Sequence, residues 1–203
     1  MRIVYMLAWS VLFTMVQAGS LYGQTSQTTK KKTTGSATMT SEYMYVIKVV
    51  QGNTELGEMV IKLWPEVAPK HCAFFDARVA EGYYNKTAFH RVIPNFMIQG
   101  GDPNSKDRPR EVWGSGGYPE KVDAEFNDRK HARGVISAAR TNDPNSFGGQ
   151  FFICVADSPW LDNQYTAFGE VISGMEVADA IVNSPRDGRD NPLEKIEMTI
   201  TKK

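Results

Sequence analysis

The sequence predicts a strand-rich domain, all-β or α+β, arranged as a barrel or a sandwich. Three observations carry that reading. Short runs rich in Val, Ile, Phe and Tyr recur from Tyr43 to the C-terminus, punctuated by Gly, Pro and Asn. Only two segments, one near each end of that region, have helical spacing. The region spans about 160 residues, a size that one core can fill.

Tyr43–Val50 (YMYVIKVV) is β-branched and aromatic, which favours a strand. Gln51-Gly52-Asn53 turns it into Gly57–Leu63 (GEMVIKL), so the pair predicts a hairpin. Pro65 to Pro69 introduces a helix through KHCAFFDARVAEG. Pro69 suits the first helical position, where a missing N–H costs nothing. Phe74, Phe75 and Val79 face the core, and Gly82 is the stop. Two apolar runs then flank Pro94-Asn95, predicting a second hairpin, and Gly100-Gly101-Asp102-Pro103 ends it. Alternation along the first of these strands sets His90 on the face opposite Arg91.

A long glycine- and charge-rich excursion covers 104–127. Long loops in compact domains are functional or mobile. Gly114-Ser115-Gly116-Gly117 lacks the Gly-Lys-Ser/Thr ending of a phosphate loop, so nucleotide binding is not expected. Strand pattern returns at Gly134–Thr141, and Asn142–Gln150 is a loop by composition. Phe151–Val155 is a short apolar strand, and Trp160 to Asn163 turns into Tyr165–Ile172. Met175–Asn183 has helical spacing and stops at Ser184-Pro185. Lys195–Thr201 alternates and closes the domain.

Residues 1–23 are expected to be a signal peptide. Arg2 is the positive n-region, Ile3–Val16 the apolar stretch, and Val16-Gln17-Ala18 a peptidase site. The apolar run falls short of the roughly 20 residues a bilayer span needs. Residues 24–42 are Ser/Thr/Lys-rich and too polar to fold, which predicts a disordered linker. The expected product is exported, periplasmic or secreted, bacterial, and without a membrane span once the signal is cleaved. Residues 43–203 form the domain.

Composition excludes several classes. The whole chain has net charge zero and pI about 6.8, so no basic field recruits nucleic acid. Without Arg2, Lys30, Lys31, Lys32 and Glu42, 19 basic residues face 22 acidic ones, net −3. His71, His90, His131 and Cys72 match no common zinc spacing, and no metal is expected. No Gly-x-Ser-x-Gly elbow or Cys-His pairing context supports a hydrolase. Cys72 and Cys154 are read as two buried free thiols.

Phe89 to Pro103 reads FHRVIPNFMIQGGDP, residues 137–154 read SAARTNDPNSFGGQFFIC, and residues 160–171 read WLDNQYTAFGEV. These three stretches resemble the signatures of the cyclophilins, the cyclosporin-binding family of peptidyl-prolyl cis-trans isomerases. The resemblance covers Tyr43 to the C-terminus. It implies a closed eight-stranded antiparallel β-barrel capped by two α-helices, acting on proline-containing polypeptides as a monomer without a cofactor. It makes Arg91 the catalytic arginine and Gln99 the glutamine that orients it. It makes Phe96, Met97, Phe152 and Leu161 the proline pocket, which patterning alone would read as barrel core. Ala139 and Arg140 match the strand segment that pairs with peptide, Gln150 a further peptide contact, and Trp160 the pocket rim.

Some positions depart from the common pattern. Tyr165 stands where many eukaryotic members carry histidine, and Arg140 replaces a common asparagine. Thr141 and Gly149 fall near the gate of a neighbouring pocket. These features and the GDPNSKD loop look more like bacterial members. Trp160 favours cyclosporin binding, whereas Tyr165 and Arg140 disfavour it. The competing reading is a peptide-docking barrel whose catalysis is incidental.

The chemistry sets what such a site needs. Amide resonance opposes rotation with a barrier of about 18–20 kcal/mol. The cis and trans forms of an Xaa-Pro bond are nearly balanced but exchange in tens of seconds or more. Gripping the ring, anchoring the backbone and donating to the twisted nitrogen would each favour the transition state.

Overall fold

The computed structural model describes residues 43–203. The expected signal peptide (1–23) and linker (24–42) lie outside the described residues.

Eight strands close into one antiparallel barrel. In chain order they are β1 (Met44–Gln51), β2 (Thr54–Leu63), β3 (Thr87–Ile93), β4 (Met97–Gly100), β5 (Val135–Ala138), β6 (Phe151–Cys154), β7 (Ala167–Ser173) and β8 (Ile196–Lys202). Around the barrel the order is β1-β2-β7-β5-β6-β4-β3-β8, and β8 pairs back onto β1. Helix α1 spans Pro69–Ala80 and α2 spans Met175–Val182. Among the described residues no helix is long and apolar enough to cross a membrane.

Alternation fills the interior. Tyr45, Ile47 and Val49 of β1 and Met59, Ile61 and Leu63 of β2 are all buried in one cluster. Phe75 of α1 enters the same cluster, edge-on to Tyr45 at 5.4 Å and to Phe151 at 5.8 Å. Val177, Ala178 and Ile181 of α2 join it. Each fully buried side chain of this size contributes about 1.5–3 kcal/mol. Pro69 opens α1 as predicted, and Gly82 beyond its end has φ +68.

Several boundaries predicted from patterning differ, and β2 begins at Thr54 rather than Gly57. β5 ends at Ala138, so Ala139, Arg140 and Thr141 lie beyond the ladder. β7 begins at Ala167, so Tyr165 precedes it. In β3 a bulge falls between Phe89 and Arg91. The extra residue breaks strict alternation, and His90 is buried while Arg91 is exposed. Cys72 and Cys154 are both buried and free.

Candidate active site

The site lies on the outside of the barrel. In β6, Phe151 and Ile153 join the interior cluster, while Phe152 and Cys154 form a separate one with Met97 and Leu161. Phe96, Ala139 and Tyr165 pack against this outer cluster. Register aligns the chemistry. Arg91 stands opposite Gln99, Gln99 opposite Phe152, and Phe152 opposite Ser137. One lateral row therefore crosses β3, β4, β6 and β5, with strands about 4.8 Å apart.

A cleft of about 450 Å³ opens over this row. Arg91 and Gln99 form its polar side; Phe96, Met97, Phe152 and Leu161 form its apolar floor. Ala139, Arg140, Trp160 and Tyr165 complete the walls. Trp160 is 57% exposed and tilts against Phe96 with centroids 5.6 Å apart. Phe152 meets Tyr165 edge-on at 5.8 Å.

Phe152 is held from behind by His131, whose ring stacks on it at 6.3 Å. His131 Nδ1 lies 3.1 Å from Asp162 Oδ1, and Nε2 lies 3.0 Å from Ser137 Oγ. A carboxylate only accepts, so Nδ1 carries the proton, while the single Ser137 hydroxyl hydrogen is shared between two acceptors, Nε2 and Thr166 O at 2.9 Å. Burial pushes the His131 pKa down although Asp162 pulls it up, so the ring is neutral near pH 7. The His131 backbone N–H, donating at 2.9 Å, is the main cause holding the Asp162 carboxyl below its usual range.

A second cleft, about 490 Å³, adjoins the first and shares Gln99, Ala139 and Arg140 with it. Gln150 lies here. Its Nε2 donates to Gly114 O at 3.0 Å and Gly116 O at 2.7 Å. Its Oε1 accepts from Gln99 Nε2 at 3.0 Å. With both Gln150 hydrogens committed, the orientation of both amides follows, and Gln99 Oε1 is left as an acceptor on the side chain opposite Arg91. Thr141 lines this cleft, as does Gly148 rather than Gly149.

The wall at 114–116 is thin and anchored from below. Asp102 is fully buried; its Oδ1 accepts from Asn104 N at 2.8 Å, and its Oδ2 accepts from Gly114 N and from Gly116 N at 3.2 Å. His90 packs under the same wall, and among the described residues neither ring nitrogen has a hydrogen-bond partner. Burial lowers its pKa, so it is a neutral ring. Gly114 has φ +90, and a Cβ there would sit 3.3 Å from the His90 ring.

Arg140 is fixed. Its guanidinium lies 4.3 Å from the Tyr165 ring centroid. It donates to Gln164 O at 3.0 and 3.2 Å and to Thr141 O at 2.8 Å.

Ten of the eleven site residues predicted from sequence line the first cleft, and Gln150 braces it from the second. Sequence reasoning missed Gln164, which lines the first cleft and holds Arg140 through its carbonyl. It also missed the Gly114–Pro119 wall, Lys121 and Ser146 of the second cleft, and the His131–Ser137–Asp162 backing. The glycine run was the one available signal for that wall.

Fold and site together define a closed barrel that carries an arginine and a glutamine beside a cleft with an apolar floor. The family model for cyclophilin type peptidyl-prolyl cis-trans isomerase/CLD matches residues 46–203. The chain belongs to this family. A peptidyl-prolyl cis-trans isomerase of Schizosaccharomyces pombe is 40% identical over 151 residues, covering 73% of this chain and 94% of that protein. A probable peptidyl-prolyl cis-trans isomerase of Brucella suis is 44% identical over 153 residues, covering 71% and 78%. A crystal structure of a cyclophilin type isomerase from Cryptosporidium parvum, in the presence of the dipeptide Ala-Pro, has TM-score 0.68 and 33% identity. It covers 78% of this chain and 98% of that one.

Proposed function

We propose that the domain accelerates rotation about Xaa-Pro bonds in proline-containing polypeptides, with Arg91 as catalytic donor. The carrying observation is the convergence of Arg91, Gln99 and an apolar floor of Phe96, Met97, Phe152 and Leu161 in one cleft. Family membership and the relatives' names support it.

The proline ring occupies the apolar floor. Ala139 and Arg140 lie past the end of β5, where the Ala139 N–H is taken by Gln150 O at 3.0 Å, and their other backbone groups anchor the neighbouring peptide backbone. As the amide twists, conjugation is lost and the nitrogen lone pair becomes an acceptor. A guanidinium N–H aimed at that nitrogen stabilises the twisted state more than either planar state, which lowers the barrier. Gln99 stands at the opposite register position, where its Oε1 would orient the arginine. No covalent bond is made or broken.

The protein acts as an exported monomer in this reading. The signal-like residues 1–23 support export, and cell fractionation tests it. Exposed Trp160 supports cyclosporin binding, against the Arg140–Tyr165 stack, and titration with the drug decides between them.

The experiment is an isomerase assay on an Xaa-Pro peptide with the protein and its Arg91→Ala variant. Fast turnover, reduced at least a hundredfold in a variant with an unchanged circular dichroism spectrum, is expected. Peptide binding without turnover in the parent would favour a docking module.

A further inference from the structure

We propose that this site selects clients with an acidic side chain two residues from the proline; the inference rests on the isomerase reading above. Three cations stand along the paired clefts: Arg91 in the first, Arg140 between them, and Lys121 in the second. No Asp or Glu among the described residues lines either cleft. Among the described residues, none of the three cations forms an ion pair with a carboxylate. The surrounding domain has a net charge of −3, so the groove runs against the charge of the molecule.

Two of these charges are held by neutral acceptors. Arg140 donates only to the carbonyls of Thr141 and Gln164 and lies over Tyr165. Lys121 Nζ donates to Tyr118 O at 2.7 Å. Carbonyls fix position without cancelling charge, so a ligand carboxylate would meet charges whose side chains are already ordered.

The nearby acids are engaged elsewhere. Asp102 is buried under the wall and takes three backbone N–H groups. Asp143 accepts from Asn145 N within its own turn. Glu120 and Asp123 share a separate groove with Lys121, where they pair with Arg78 and Lys70.

Shape agrees with charge. The second cleft is walled by glycines, and Ser146 and Thr141 line it with further polar groups. An extended peptide advances about 3.3 Å per residue, and alternate side chains share a face. A side chain two positions from the proline therefore reaches the second cleft while the ring stays in the first.

The test measures turnover by NMR exchange spectroscopy and affinity by titration. Three peptides carry Glu, Gln or Lys two residues before the proline, and a companion set carries them two residues after it. In one set, kcat/KM should rank Glu above Gln above Lys, with Glu about fivefold over Gln at low salt. Near 1 M salt, where screening shortens to about 3 Å, the ratio should approach one. Lys121→Gln and Arg140→Gln should each lower the Glu-to-Gln ratio, and the double variant should abolish it. Equal turnover of Glu and Gln peptides by the parent in both sets, or an unchanged ratio in the double variant, would overturn the proposal. Tighter binding of the Glu peptide without turnover of any peptide would leave the charge preference standing and remove the isomerase reading instead.

Discussion

Gln99 and Gln150 share one hydrogen bond, 3.0 Å from amide nitrogen to amide oxygen, and it joins the two clefts. Gln150 passes the connection on through its own two hydrogens to the Gly114 and Gly116 carbonyls. Replacing Gln150 with Leu keeps much of the shape and removes all three bonds. Each is worth about 1 kcal/mol, and the glycine carbonyls lose their donors. We expect kcat/KM to fall about tenfold, mainly through KM, and steady-state kinetics on the Gln150→Leu variant will check it.

Arg110 clasps the segment beside β3. Its guanidinium donates to Asn191 Oδ1, Pro192 O and Leu193 O at 2.6–2.9 Å and stands 3.5 Å from Asp187. Asp190 O, in the same segment, accepts from Val92 N at 2.8 Å, next to Arg91. Arg110→Ala should cost about 2 kcal/mol, lowering Tm by about 4–8 °C. Hydrogen exchange should show lost protection at the Val92 amide.

Stability should depend on pH through the histidines. Burial holds the folded-state pKa values of His71, His90 and His131 below the ordinary 6.5. Between those values and 6.5 the unfolded chain binds more protons, so stability is full above about 6.5 and is lost as pH falls. Burial raises the Glu125 pKa, but hydrogen bonds from His71 and Lys70 outweigh it, so a further loss begins below about 4.5. We expect Tm to be level from pH 7 to 8 and to decline from 6.5 toward 5. Turnover should stay flat between about pH 6 and 8, because an arginine keeps its charge there. An inflection near 6.5 would implicate a histidine in the chemistry.

The two thiols should be inert in the native protein. Burial pushes Cys72 and Cys154 up to about 12, so little thiolate forms at pH 8. A thiol reagent should find essentially none in the folded chain and two after denaturation without reductant. Zero after denaturation would mean a disulfide.

The strands and helices were legible because each buries one face, and burial imposes a period. Pairing imposes none, so closure of β8 onto β1 came only from family resemblance. The errors follow from the same cause. Ala139 to Thr141 and Tyr165 continue a strand-like pattern, yet several of these residues line clefts and lie beyond the ladders. The bulge between Phe89 and Arg91 was not legible, because it is a backbone event with no side-chain signature. The floor of the first cleft was found through the signature stretches, since Phe96, Met97 and Phe152 read as core on hydrophobicity alone. The wall of the second cleft was not found. Glycines carry no pattern, and Lys121 reads like any solvated charge.

The seam between β1 and β8 has a consequence for synthesis. Met198 pairs with Val49, and Ile196 with Gln51, so β1 meets its second neighbour only after about 150 further residues have been made. At translation speeds of about 5–20 residues per second, that wait lasts roughly eight to thirty seconds. The hairpin of β1 and β2 spends the interval with an unsatisfied edge, a template for any other extended chain. A member of a family of folding catalysts thus begins its own life as a substrate for protection, and its last strand ends the exposure.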